Sequence, residues 1–146
     1  MAHASNSITI ARPPADVFAF VLDGANNQLW RPAVLEISRV AGTPDREGAK
    51  YRQRLRGPGG RPIDGDYEIT TCQPNTRLEF RVTSGPARPT GTYRFAPADG
   101  GTRVTFDLDY APTGLAKLMD PIIARTMRSE VATLENLKRH LETQPI

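Results

Sequence analysis

Four tyrosines and a glutamine are the residues whose types could do chemistry. Tyr51, Gln53, Tyr67, Tyr93 and Tyr110 all fall in the apolar phase of segments that alternate apolar and charged residues. A phenol can donate to a carbonyl or an enolate oxygen, and holding a substrate beside it adds to the effect. Such groups are costly in a packed core unless each polar atom finds a partner. They suit the wall of a mostly apolar pocket with a few orienting groups. Solid packing, with the hydroxyls reaching an open end, is the competing reading.

Other chemistries have less support. Glu130 sits at the edge of an apolar helical stripe and reads as solvated rather than cavity-facing. Without a buried carboxylate, histidine or lysine, general acid–base catalysis is weakly supported. The two histidines, His3 and His140, have no metal-ligand spacing, and His140 reads as a solvated helix-end residue. Cys72 has no neighbouring histidine and reads as a structural or surface thiol. Gly57-Pro58-Gly59-Gly60 lacks the lysine and following helix of a phosphate loop. Arg52, Arg54 and Arg56 face Asp64, Asp66 and Glu68 on the next strand. That arrangement reads as a cross-strand charge ladder rather than a phosphate or metal site.

These side chains need a scaffold, and period-two segments supply it. Ser7–Ala11 reads as a strand, followed by an apolar helix from Pro14 and a second helical turn ending at Leu29-Trp30. Trp30 is expected to close one end of the core or cavity. Strands are then expected over 34–40, 49–56, 62–72, 77–83, 90–95 and 103–110. Short connections imply an antiparallel meander. The inner phase carries Tyr51, Gln53 and Leu55; Tyr67, Ile69 and Thr71; Phe80; Tyr93 and Phe95; and Phe106, Leu108 and Tyr110. The outer phase is charged, as in a sheet wetted on one face. Gly57–Gly60 and Ser84–Pro89 read as surface turns rather than gates.

The last segment, 114–143, has apolar residues at helical spacing, including Leu115, Leu118, Met119, Ile122, Ile123, Met127, Val131, Leu134, Leu137 and Leu141. At about 1.5 Å per residue it could reach ~40 Å. Two arrangements stay open at Pro121: Asp120 caps a helix that Pro121 opens, or one helix kinks there. The stripe is expected to be core at one end and cavity wall at the other.

Composition bounds the rest. The 146 residues, 24% charged and 38% apolar, fit one globular domain over 1–146. A net charge of +3 from 19 basic and 16 acidic residues, interleaved, gives no argument for nucleic acid. One cysteine allows no internal disulfide and fits a reducing compartment. No run approaches the ~20 apolar residues of a membrane span. A cytoplasmic protein, monomeric or homodimeric, without cofactor, metal or membrane insertion, is the expectation.

The ordered set Ile8-Thr9-Ile10-Ala11-Arg12-Pro13-Pro14-Ala15-Asp16-Val17-Phe18, Asp23, Trp30-Arg31-Pro32, Glu47-Gly48, Tyr51-Arg52-Gln53, Asp66-Tyr67-Glu68-Ile69-Thr70, Gly100-Gly101-Thr102-Arg103-Val104 and Leu137-Lys138-Arg139-His140-Leu141-Glu142 resembles the polyketide cyclase/dehydrase-like members of the SRPBCC superfamily, also called START-like or Bet v 1-like. The resemblance implies an α+β helix-grip fold. A seven-stranded antiparallel sheet would wrap a long C-terminal helix, with two short helices after the first strand and a ligand cavity between. Superfamily members include cyclases, lipid and sterol carriers and hormone receptors, so fold does not give function. The expected role is binding of a hydrophobic or aromatic small molecule, lipid- or polyketide-like. Its contacts would come from Trp30, Tyr51, Gln53, Leu55, Tyr67, Ile69 and Phe80, then Tyr93, Phe95, Phe106, Leu108, Met119, Ile123 and Met127. A polyketide cyclase or dehydratase using Tyr51, Gln53, Tyr67 and Tyr93 is the alternative, and a protein-interaction module a further one.

Overall fold

A computed structural model describes residues 2–43, 46–85, 88–110 and 120–143. The alternating segments form one antiparallel sheet. Its strands are β1 (Ala2–Ile10), β2 (Val34–Ala41), β3 (Lys50–Arg56), β4 (Pro62–Asp64), β5 (Tyr67–Gln73), β6 (Arg77–Val82), β7 (Thr90–Ala98) and β8 (Gly101–Tyr110). The spatial order is β1-β8-β7-β6-β5-β3-β2, with β4 paired to β3. β1 returns across the whole chain to pair with β8, from Ala2 opposite Tyr110 to Ile10 opposite Thr102. It is longer than the sequence implies, because pairing overrides the low strand propensity of its first residues.

The expected strand over 62–72 is interrupted once. Arg54 opposite Asp64 and Tyr51 opposite Tyr67 share one register, so β4 and β5 are a single run with a gap at Gly65-Asp66. There the Asp66 carboxylate, in place of a main-chain carbonyl, accepts from the Gln53 amide at 3.0 Å. Gly65 donates to the Gln53 carbonyl at 2.8 Å, and a Cβ on it would lie 2.7 Å from Leu55. A bulge at Thr70 then shifts the phase. Ile69 faces Phe80, but Thr71 faces Glu79 and Cys72 faces Leu78. Thr71, expected inward, is therefore on the outer phase, and half-buried Cys72 packs against the core.

The outer face carries exposed ion pairs, though not the full ladder expected. Arg54 approaches Asp64 at 4.0 Å, and Arg81 bonds Glu68 at 2.9 Å. Asp66 is engaged with the backbone. Exposed pairs of this kind contribute about 0–1 kcal/mol each.

The short helices form a compact unit. α1 (Pro14–Leu22) opens on proline, has Asp16 in its first turn and buries Val17, Phe18, Val21 and Leu22. Asp23 ends it and accepts from the Ala25 amide, starting a 3-10 turn over Gly24–Asn26 that runs into α2 (Asn27–Trp30). α3 (Asp120–Ala132) and α4 (Leu134–Glu142) carry one buried stripe of Met127, Val131, Leu134, Leu137 and Leu141. Leu115, Leu118 and Met119 lie outside the described residues, as does the choice between the two arrangements at Pro121. The break that the structure shows is at Thr133. Its amide donates to the Glu130 carbonyl at 3.1 Å, and its hydroxyl donates to the same oxygen. A threonine hydroxyl competing for a helix carbonyl loosens the ladder there.

Cross-links fix this rod to the sheet. Asn6 donates to the Val131 carbonyl at 3.0 Å, Lys138 to the Thr9 carbonyl at 2.8 Å, and the Glu142 carboxylate accepts from the Ala11 amide at 2.8 Å. Asn136 donates to the Trp30 carbonyl at 3.1 Å and ties α2 to α4. His140 is half-buried with its ring 5.2 Å from Phe20, so it is not the fully solvated helix-end residue expected.

Gly24 is a point of close approach between the short-helix unit and the sheet. A Cβ on it would sit 2.4 Å from the Tyr67 hydroxyl and 2.6 Å from Tyr51. Gly24→Ala is therefore expected to destabilise the protein by about 1–3 kcal/mol through overpacking, read as a lower urea midpoint with unchanged slope.

Candidate functional site

Between the inner face of the sheet and the helices lies a hollow of about 130 Å³. Its sheet wall is mostly apolar, with Leu55, Ile63, Ile69, Leu78, Phe80, Val82, Phe106 and Leu108; Met127 comes from α3. The aromatic part of that wall is stacked. Tyr93 lies on Phe106 with ring centres 4.3 Å apart, and Phe80 packs near both. Arg56, Asp64 and Thr126 are lining residues that are also exposed, so the hollow opens at that end.

Polar groups gather on the side nearest the short helices. Asn27, the first residue of α2, is buried and donates to the Tyr67 hydroxyl at 3.1 Å and to Gln53 Oε1 at 3.5 Å. Gln53 turns its amide back to the Gly65 carbonyl at 3.2 Å. Arg31 follows α2 and precedes Pro32. A residue before proline is held out of the helical region, and Arg31 is extended at φ −111°, ψ 97°, with its side chain among the lining groups. Glu130 reaches the same place from α3. Arg31 Nε and Nη2 lie 3.0 and 2.9 Å from Glu130 Oε2, and the two side chains are only 10% and 14% exposed.

Burial sets the protonation of this cluster. Desolvation, the largest single effect, pulls the Arg31 guanidinium down, but the charge and hydrogen bond of the Glu130 carboxylate together with Tyr93 and Tyr67 outweigh it, so its pKa ends raised. Burial pushes the Tyr67 and Tyr93 phenols well up, and Arg31 only partly opposes it. Burial also raises Tyr51, whose hydroxyl accepts from the Gly24 amide at 3.3 Å. The Tyr93 hydroxyl has no hydrogen-bond partner among the described residues, although Tyr93 is 4% exposed and lines the hollow. Tyr67 accepts from Asn27 but has no acceptor for its own hydrogen among them. Among the described residues no group of His, Cys, Asp and Glu is arranged to hold a metal ion.

Of the residues singled out from the sequence, Gln53, Leu55, Tyr67, Ile69, Phe80, Tyr93, Phe106, Leu108 and Met127 line the hollow. Trp30, Tyr51 and Phe95 are buried behind it: Trp30 packs edge-on to Tyr93, Tyr51 stacks on Tyr67, and Phe95 meets Phe18 edge-on. Met119 and the side chain of Ile123 lie outside the described residues. Sequence reading missed Asn27 and Arg31, and it placed Glu130 in solvent. The Arg-Pro junction at Arg31-Pro32 was the available signal for an arginine held extended.

A sheet curled against a C-terminal helix, with a hollow between, defines a helix-grip fold of the START and Bet v 1 kind. The chain belongs to the family described as polyketide cyclase / dehydrase and lipid transport, whose profile matches residues 1–142. An uncharacterized protein of Mycobacterium tuberculosis is 24% identical over 147 residues, covering 95% of this chain and 84% of its own. A crystal structure from Thermus thermophilus superposes with a TM-score of 0.80 at 21% identity, covering 95% of this chain and 96% of that one. A START superfamily protein from Mycobacterium smegmatis gives 0.75 at 14% identity, covering 97% and 99%. At these identities the structural likenesses show the fold alone. Family and fold fit a ligand-binding or a cyclase/dehydrase role.

Two outcomes follow from the cluster. Glu130→Ala strands the Arg31 guanidinium among apolar groups, and a loss on the order of 3 kcal/mol is expected in urea unfolding. For Tyr67 and Tyr93, a folded pKa raised above the ordinary 10.0 favours the neutral form in the native state. Their contribution is full below pH 10 and is lost as the pH rises beyond it, because the unfolded phenols ionise first. Alkaline titration followed by phenolate absorbance is expected to show these two ionising only together with unfolding.

Proposed function

We propose that the protein binds a hydrophobic or aromatic small molecule, lipid- or polyketide-like, in the hollow between the sheet and α3. The observation that carries this reading is the unpartnered Tyr93 hydroxyl on an otherwise apolar wall, beside polar groups gathered on one side. That hydroxyl faces the hollow, where a bound ligand or water supplies the partner it lacks. Apolar walls provide affinity, and the few polar groups orient what binds. A cavity of ~150 Å³ accepts a benzene-sized guest. The hollow of about 130 Å³ is therefore matched to a single ring, with the remainder of a longer ligand directed to the open end. This reading takes 1–146 as one domain acting without a cofactor in the cytoplasm, as a monomer or homodimer. No helix among the described residues is long and apolar enough to cross a membrane.

The test is uptake of small apolar probes followed by amide NMR shifts. Ethylbenzene is expected to shift residues of β5 to β8 around the hollow. Val82→Trp, which places bulk on the half-buried lining at the last residue of β6, is expected to weaken uptake at least about tenfold, or 1.4 kcal/mol, while the fold persists. Shifts confined to the outer face, or undiminished uptake by the variant, would sink the reading.

Glu130 favours a second reading, a polyketide cyclase or dehydratase in the same hollow. Its carboxylate is the candidate general base that sequence reading lacked, and Tyr67 and Tyr93 are candidate donors to an enolate oxygen. In that case Glu130 takes a proton from the methylene between two carbonyls while a phenol holds the oxygen that gains charge. Tyr51 and Gln53 take no part there, since the Tyr51 hydroxyl binds a backbone amide and Gln53 is tied to Gly65. Incubation with model poly-β-ketones is expected to give altered cyclised products that Glu130→Gln suppresses about 10²–10⁴-fold. Turnover indifferent to Glu130→Gln would exclude this role.

A further inference from the structure

The polar side of the hollow has its charges already balanced but its hydrogen-bonding capacity unfilled. The positive charge of Arg31 is answered by Glu130 at 2.9 Å, with both side chains nearly out of solvent. Two phenol hydrogens, those of Tyr67 and Tyr93, have no acceptor among the described residues. Both phenols line the hollow together with Arg31 and Glu130, and both rings pack on Phe80, at 5.6 and 5.9 Å, so all of these groups share one neighbourhood. We infer that the ligand's polar end is neutral, a ketone or amide oxygen that accepts from Tyr93 and Tyr67, and that the site rejects carboxylates. This rests on the binding reading above.

The reason is electrostatic. A carboxylate entering this neighbourhood meets the like charge of Glu130 in surroundings that are mostly apolar, where charges are poorly screened. To reach Arg31 it must displace Glu130, which then becomes the unpaired charge. A cationic end meets the mirror problem at Arg31. A carbonyl oxygen disturbs neither charge and fills what is open: it accepts from two phenols and has no need of the guanidinium. Arg31 and Glu130 therefore act as specificity-determining residues through their mutual neutrality, and the phenols make the contact.

Three one-ring probes differing only at the polar end separate the possibilities: ethylbenzene, acetophenone and benzoate. They are titrated into the full chain at pH 7, where benzoate is ionised, and followed by amide NMR. Acetophenone is expected to bind at least about tenfold more tightly than benzoate. Tyr93→Phe is expected to lower the acetophenone-to-ethylbenzene affinity ratio by about threefold to tenfold, the worth of one hydrogen bond. Glu130→Gln frees the guanidinium and is expected to raise benzoate affinity about tenfold or more. If Glu130→Gln does not fold, the wild-type comparison and Tyr93→Phe decide. Benzoate binding as tightly as acetophenone, or a ratio that Tyr93→Phe leaves unmoved, overturns the inference while uptake of ethylbenzene leaves the cavity reading intact. If none of the probes binds, the cavity reading itself fails and this inference falls with it.

Discussion

The contact between Arg31 and Glu130 joins, inside the molecule, two parts of the chain that lie far apart in sequence. Arg31 belongs to the short-helix unit, Glu130 to the C-terminal rod, and the sequence separation is 99 residues. Their attraction sets how near α3 stands to the end of α2, and so how wide the hollow can be. A buried ion pair is weak support for stability, because its desolvation offsets most of the attraction. Packed apolar residues of like volume would hold the elements together as well. What apolar residues would not do is keep a charged yet neutralised surface facing the interior. The pair is thus better understood as a feature of the site than of the fold.

The opposite wall depends on aromatic geometry. Tyr93 and Phe106 stack at 4.3 Å, Tyr51 and Tyr67 at 5.0 Å, and Phe80 bridges the two groups. Offset rings held by cross-strand neighbours make a rigid surface with their hydroxyl ends at its margin. Glycines give them room. Gly91 lies under Phe80, whose ring would be 2.2 Å from any Cβ there, and Gly24 lies over the Tyr51–Tyr67 stack. At these points the rings come closer to the backbone than any Cβ would allow.

Much of this was legible in the chain. Period two gave the inner phase of Tyr51, Gln53, Tyr67, Tyr93 and Phe106, and helical spacing gave the stripe from Met127 to Leu141. The helix-grip architecture is what the family resemblance implied, through motifs such as those around Trp30-Arg31-Pro32 and Gly100-Gly101-Thr102, and those two patterns agree with it. What escaped was three-dimensional in origin. A bulge at Thr70 reverses a phase without any composition signal, which moved Thr71 outward. Glu130 looks solvated on its own helix, since only a partner brought from far away in sequence makes its burial tolerable. Asn27 and Arg31 look like ordinary polar residues of a short turn until Tyr67 and Glu130 are placed beside them. Trp30, Tyr51 and Phe95 have the right phase or character, yet a second layer of rings stands between them and the hollow.

The interruption at Thr133 separates two duties that a continuous helix would combine. α4 is clamped to β1 by Lys138, to Ala11 just beyond that strand by Glu142, and to α2 by Asn136. α3 carries Thr126, Met127 and Glu130 into the hollow and has its own link to β1 through Val131. Changes of side-chain size on α3 can be absorbed at the joint before they strain the clamp. The interior can therefore be re-shaped, by natural drift or by protein engineering, with the anchoring half of the rod left untouched.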